Sequence, residues 1–137
     1  MTHKIVIPGE VIPSGNALMG HWARLVALKA KWFLLIRTNS KGCRWQKQKP
    51  KRFKIVITRY APGTLDFANL IHSADKLILD NIKSKVRKRL PIGGGRYTYR
   101  NYLTDGLIFD DSPQYLDLVC KQKKCPEAKK RMEIIIK

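Results

Sequence analysis

The sequence predicts an α+β fold: one mixed-sheet domain over residues 1–137, with two main helices packed on one face of the sheet. Three observations predict it. The length, 137 residues, is that of a single domain, and a chain of this size buries about two-thirds of the surface its unfolded form exposes. The composition is globular, with 44% apolar and 9% aromatic residues. Segments with helical spacing alternate with short apolar or alternating runs in the order β-α-β-α-β-β-β.

Residues 4–7 read as a first strand, broken by Pro8-Gly9-Glu10 and followed by a loop through Pro13-Ser14-Gly15-Asn16. Residues 21–37 have helical spacing, with Trp22, Leu25, Val26, Leu28, Trp32, Phe33, Leu35 and Ile36 forming a broad apolar stripe. Residues 53–60 alternate as a strand with one basic face. Ala61-Pro62-Gly63-Thr64 has turn chemistry. A second helix spans about residues 67–86, where Phe67, Leu70, Ile71, Ala74, Leu77, Ile78 and Ile82 fall on one stripe. Its opposite face carries Asn69, His72, Lys76, Asp80 and Lys83. Residues 106–109 form a short strand ending in Asp110-Asp111. Residues 115–121 and 131–136 are two further strands, joined by a turn at Cys125-Pro126-Glu127. No internal repeat is present.

Several function classes drop out at this stage. The longest apolar-leaning stretch, residues 25–36, is interrupted by Lys29 and Lys31, so no membrane span is expected. The first ten residues lack a long apolar core, so a secretory signal is not expected and reducing cytoplasm is the expected compartment. Cys43, Cys120 and Cys125 cannot supply the four ligands of a structural zinc site and read as ordinary reduced residues.

Charge points to a polyanion. Twenty-eight Lys and Arg against ten Asp and Glu give a formal charge of +18, which opposes compaction by self-repulsion and serves no fold. The cations gather in two acid-free blocks that read as basic loops. The first, about residues 37–54, holds Lys41, Arg44, Trp45, Lys47, Lys49, Lys51 and Arg52. The second, about residues 83–100, holds Lys83, Lys85, Arg87, Lys88, Arg89, Gly93-Gly94-Gly95, Arg96, Tyr97, Tyr99 and Arg100. Such cations neutralise phosphates and interleaved aromatics stack on bases; equally, the aromatics can pack on the domain body.

The acids are placed differently. Seven of the ten are Asp66, Asp75, Asp80, Asp105, Asp110, Asp111 and Asp117. Carboxylates repel phosphate, and a nucleic-acid protein tolerates them near its ligand when a divalent cation lies between. Asp66 stands just before the second helix, and Asp110 and Asp111 just after a short strand, where side chains can converge on Mg²⁺ and a scissile phosphate. Each also has a structural alternative: Asp66 as a helix N-cap, and Asp111 as a turn residue before Ser112-Pro113.

Leu65-Asp66-Phe67-Ala68-Asn69-Leu70 opening a helix, then Gly106-Leu107-Ile108-Phe109-Asp110-Asp111-Ser112-Pro113, resembles the RusA family of Holliday junction resolvases. Pro13-Ser14-Gly15-Asn16 and His21-Trp22 agree with that pattern, which covers most of the chain outside the basic blocks. The resemblance implies a Mg²⁺-dependent homodimer, with Mn²⁺ as a substitute, that nicks opposed strands of four-way DNA junctions. It assigns metal ligation to Asp66 and Asp111, with Asp110 as understudy, and phosphate contacts to Asn69 and His72. The family has a charge-stabilising lysine three residues after the asparagine; that position holds His72, which either takes the role or contacts phosphate, and Lys76, one turn further on the same polar face, is the nominee for the role. The main departure is Ala68, where the family has an aspartate; alanine cannot ligate a metal. It is either a natural divergence that leaves a binder or an inactivating substitution, and the intact surroundings favour the second. The alternatives to a resolvase are a non-catalytic basic protein that binds structured DNA or RNA, and an adaptor that docks on an acidic protein.

Overall fold

The computed structural model describes residues 2–137 and has the expected mixed α+β architecture. Its elements are β1 (His3–Pro8), a 3-10 turn (Gly15–Leu18), α1 (Trp22–Thr38), β2 (Gln46–Lys47) and β3 (Phe53–Ala61). Next come α2 (Phe67–Ala74), a π-helical turn (Asp75–Leu79) and α3 (Asp80–Ile82). The chain ends with β4 (Lys85–Gly93), β5 (Arg96–Leu103), β6 (Asp105–Gly106), β7 (Leu116–Lys124), a 3-10 turn (Glu127–Lys129) and β8 (Arg131–Ile136). Among the described residues, no helix is long and apolar enough to cross a membrane.

The main sheet has strand order β1-β8-β3-β7. β8 pairs antiparallel with both β1 and β3, whereas β3 and β7 are parallel. A parallel pair cannot be closed by a tight turn and needs a long crossover. That crossover carries α2, α3, β4, β5 and the Asp110-Asp111 pair, so Asp66, Asp75, Asp80, Asp110 and Asp111 all lie on one connection.

Period-2 alternation puts Ile5, Ile7, Ile55, Ile57, Met132, Ile134 and Ile136 on one face of the sheet, all fully buried. Trp32 and Ile36 of α1, with Leu70, Leu77, Ile78 and Ile82 of the second helical segment, cover that face. Each such side chain contributes roughly 1.5–3 kcal/mol when fully buried. The helices therefore sit on one side, as the sequence predicts. The apolar stripe of α1 divides, however. Leu25, Leu28, Trp32, Leu35 and Ile36 turn inward, while Trp22, Val26 and Phe33 stay exposed.

Two clamps position the second helical segment. Gln122 on β7 donates to the Leu65 carbonyl (2.7 Å) and accepts from the Leu65 amide (2.8 Å), fixing the approach to α2. At the other end, Lys83 leaves the helix in extended conformation. The segment thus stops at Ile82 rather than near residue 86. The Ile82 carbonyl accepts from the Leu107 amide at 2.7 Å.

Residues 83–100, expected as a basic loop, form most of a two-stranded ribbon instead. β4 and β5 pair from Lys85↔Leu103 to Gly93↔Arg96. The turn needs its three glycines: Gly93, Gly94 and Gly95 have φ of +98°, +60° and +70°, a region that side-chain-bearing residues rarely enter. Residues 37–54 are likewise not one loop, because they include the end of α1, β2 and the start of β3. The strand expected at 106–109 shrinks to β6, and the buried residues Leu107, Ile108 and Phe109 make a single bridge, Ile108 to Lys83.

Gly106 is the tightest point of the fold. A Cβ there would lie 2.5 Å from the Ile82 carbonyl oxygen and 2.8 Å from the Ser84 amide nitrogen. Backbone atoms on both sides cannot give way, so Gly106→Ala should destabilise the protein by about 1–3 kcal/mol. Gly63→Ala, where nothing lies within 4 Å of the added carbon, should be near neutral. Urea unfolding of both variants checks this, and equal stability of the two would contradict it.

Candidate metal centre

Asp75, Asp80 and Asp111 converge, with one ligand oxygen from each lying within 4.8 Å of the others. The helix brings the first two together by an irregularity. The Asp80 amide donates to the Asp75 carbonyl, an i→i+5 bond that closes a π turn. In a regular α-helix residues five apart point about 140° apart; the wider turn lets them share a face. Such π turns occur often at functional sites.

Asp111 arrives from the Gly106 side. The Ser84 amide donates to the Ile108 carbonyl (2.9 Å) and the Lys85 amide to the Phe109 carbonyl (2.8 Å). These bonds hold the segment leading to Asp110 and Asp111 alongside the helix end. Arg52 pairs with Asp117 and donates to the carbonyls of Pro113 (2.8 Å) and Gln114 (3.2 Å), fixing the loop that follows Asp111.

Lysines surround the carboxylates. Lys83 Nζ lies 3.3 Å from both Asp80 and Asp111, and Lys29 Nζ lies 2.9 Å from the other Asp80 oxygen. Burial alone would push the Lys83 ammonium toward its neutral form, but Asp80 and Asp111 outweigh it and raise its pKa. Asp75 is the least compensated member. Burial and then the charges of Asp80 and Asp111 raise its pKa, against the opposing pull of Lys76, whose Nζ is 4.0 Å away.

The cluster opens into a cleft of about 550 Å³ whose lining includes Phe67, Ala68, Ile71, His72, Asp75 and Asp111. Ala68 and Asp75 are seven residues apart on a helix and share a face. The position where the resemblance expects a carboxylate therefore faces the same cleft as the cluster. Asp66 does not join it. It precedes Asp75 by nine residues, about 13 Å along the axis and half a revolution around it. It is exposed, and its oxygen accepts from the Asn69 side chain at 2.8 Å rather than capping a backbone amide. Asp110 also turns away, with its carboxylate 3.8 Å from Lys85 at the root of the ribbon. Asp66 and Asp110, expected to meet Asp111, do not join it in this arrangement; the carboxylates that converge on Asp111 are Asp75 and Asp80.

The remaining expected contact residues are spread more widely. Lys41, Arg44, Lys47, Lys49 and Lys51 are exposed along the first basic block, and Arg87, Lys88, Arg89, Arg96 and Arg100 along the ribbon. Trp45 is half-buried against the core; its indole N–H donates to Ser40 (3.0 Å) and Arg37 covers its ring at 4.1 Å. His72 lies on the cleft wall, and Gly15 packs closely against it and Asn69. Burial raises the Cys120 thiol pKa to about 11, which disfavours its thiolate at neutral pH.

Three converging carboxylates, two on the second helical segment and one on the loop before β7, with one of them short of counter-charge, fit a hard divalent cation with oxygen ligands. No family model, curated protein or solved structure matches the chain.

A carboxyl whose folded-state pKa is raised binds its proton more tightly when folded. Stability from that group is greatest below the unfolded value near pH 4 and declines as pH rises through the folded value. Asp75→Asn should therefore raise the melting temperature at neutral pH without divalent ions, with the gain shrinking toward pH 4. Added Mg²⁺ should stabilise the wild type more than the variant. Melting curves across pH check both; a variant less stable than wild type at neutral pH without metal would make Asp75 a structural ion-pair residue.

Proposed function

We propose that this chain is a Mg²⁺-dependent endonuclease acting on branched DNA, with four-way junctions as the favoured substrate. The observation that carries the reading is the meeting of Asp75, Asp80 and Asp111 in a chain of charge +18. A protein that binds only phosphates gains nothing by concentrating carboxylates beside its cations. The resemblance to RusA-type resolvases in the Asp66–Leu70 and Gly106–Pro113 motifs supports the same reading.

Asp75, Asp80 and Asp111 would hold the ion. Bound there, Mg²⁺ would supply charge stabilisation at the scissile phosphate and an activated water. The protein's own groups do the rest. Lys83, 3.3 Å from both Asp80 and Asp111, offsets their negative charge. Lys76, on the rim beside Asp75, offers a point charge to the phosphate. The exposed cations of both basic blocks hold the flanking backbone. Ala68 leaves the cleft one carboxylate short of the family pattern, so turnover is expected to be slow.

A second copy of the chain is part of the proposal, because a four-way junction has two equivalent strands to cut and a two-fold protein matches them. The outward side of α1 and the turn before it support it: Met19 in that turn and Trp22, Val26 and Leu34 on the helix are all more than half exposed, an unusual cost for a monomer's surface. Sedimentation at micromolar concentration should give a dimer, and a monomer with and without junction DNA would contradict this.

A non-catalytic DNA or RNA binder is the second reading. It is favoured by Ala68 and by the two lysines that already engage both oxygens of Asp80. Nicking of a synthetic junction with Mg²⁺ separates the two. Ala68→Asp should increase nicking, and Asp111→Asn should reduce it at least about a hundredfold while leaving binding intact. If neither the wild type nor Ala68→Asp nicks any branched substrate, the binder reading takes over. Under both readings affinity should fall about a thousandfold between roughly 50 and 200 mM salt; an affinity indifferent to salt would exclude both.

A further inference from the structure

The ribbon formed by β4 and β5 carries six cations and no carboxylate across residues 85–103. Nearly all of it is exposed. Pleating sorts its side chains onto two faces. The register pairs Arg87 with Asn101, Arg89 with Tyr99 and Pro91 with Tyr97, which puts both arginines and both tyrosines on the same face. There the Arg87 guanidinium lies 4.0 Å over the Tyr99 ring and that of Arg89 lies 4.2 Å over the Tyr97 ring. With Arg89 directly opposite Tyr99, the four form one alternating ladder. Tyr97 and Tyr99 remain 50% and 55% exposed.

Phosphate neutralisation alone explains the cations but not this ladder. Exposed tyrosines on a free ribbon add nothing to a core, and a closed duplex offers them no base faces. An unpaired or splayed base does offer one, and it stacks on tyrosine rings and on guanidinium planes alike. The cation–π contacts order these side chains in advance, which lowers the entropy lost on binding. The root of the ribbon is fixed beside the carboxylates. The Thr104 amide donates to the Ser84 carbonyl (2.8 Å), and Lys85 reaches Asp110.

We propose that the Arg87–Tyr99–Arg89–Tyr97 face of the ribbon is a stacking platform for unpaired DNA bases, which selects branched or partly single-stranded DNA over closed duplex. The inference rests on the nucleic-acid reading above and adds the substrate feature that is recognised.

Fluorescence anisotropy of the full chain with a thymidine oligomer, a linear duplex and a four-way junction tests it. Replacing both tyrosines, as Tyr97→Ala with Tyr99→Ala, should weaken binding to the oligomer and the junction about tenfold or more. Duplex affinity should change less than about twofold, because that term is set by phosphate neutralisation. Lys88→Gln with Arg100→Gln, on the opposite face, should weaken all three ligands alike. Tyr97→Leu with Tyr99→Leu keeps side-chain bulk without a π face and should behave as the alanine pair, with an unchanged melting temperature. Equal losses on duplex and oligomer, or no loss on either, would overturn the platform while leaving nucleic-acid binding in place. A wild-type chain that binds none of the three ligands would overturn the nucleic-acid reading itself.

Discussion

The backbone knot around Ser84 and Gly106 is the constraint on which the rest of the molecule depends. Ser84 is fully buried. Its amide and carbonyl bond to Ile108 and Thr104, and its hydroxyl joins the Gln48 amide (3.0 Å) to the Gln46 carbonyl (3.2 Å). Gln48 in turn donates to the Gly106 carbonyl at 2.9 Å. Four segments are thereby tied at one point: the end of the second helical segment, both strands of the ribbon, the first basic block, and the chain leading to Asp111. Because buried backbone groups must be paired, the knot can form only in this arrangement. Gly106 is what allows the segments to approach so closely.

That knot sets an electrostatic problem and its solution together. It presses Asp111 against Asp75 and Asp80, and burial together with these two like charges raises the cost of ionising Asp75. Lys83, one residue before Ser84, lies between Asp80 and Asp111, and Lys29 crosses from α1 to the other oxygen of Asp80. Breaking a partly buried network of this kind by removing one partner is far more costly than its net worth suggests. Asp75 stays the weakly compensated member, and it faces the cleft. A single construction thus gives the helix its register, the ribbon its footing and the cleft its surplus of negative charge.

The α+β class, the strands β1, β3 and β8 and the helices were legible because their apolar periodicities are strong: 3.6 in α1 and α2, and 2 in those strands. The Asp110-Asp111 segment was legible as a site because it follows a short buried run. The ribbon was not, since both its faces meet solvent and the apolar–polar alternation that marks a strand is absent from Arg87-Lys88-Arg89. That Asp75 and Asp80, rather than Asp66, approach Asp111 was not legible for a geometric reason. Asp75 and Asp80 are five apart, a spacing that a regular helix would splay, and no residue between them announces a π turn. Asp66 looked better placed at the helix entrance, but nine residues of helix carry it to the wrong end and the wrong side. The lysines offered the one available signal: Lys29, Lys76 and Lys83 on polar faces of two helices imply carboxylates among them.

The most direct test is a count of divalent ions at this centre. Mn²⁺ binding, followed by the loss of its free-ion electron paramagnetic resonance signal, should saturate on the wild-type chain at neutral pH. It should weaken sharply in Asp75→Asn and Asp111→Asn, and remain unchanged in Asp66→Asn. A wild-type chain that takes up no Mn²⁺, or an Asp66→Asn variant that loses it while Asp75→Asn does not, would contradict a metal centre built from Asp75, Asp80 and Asp111.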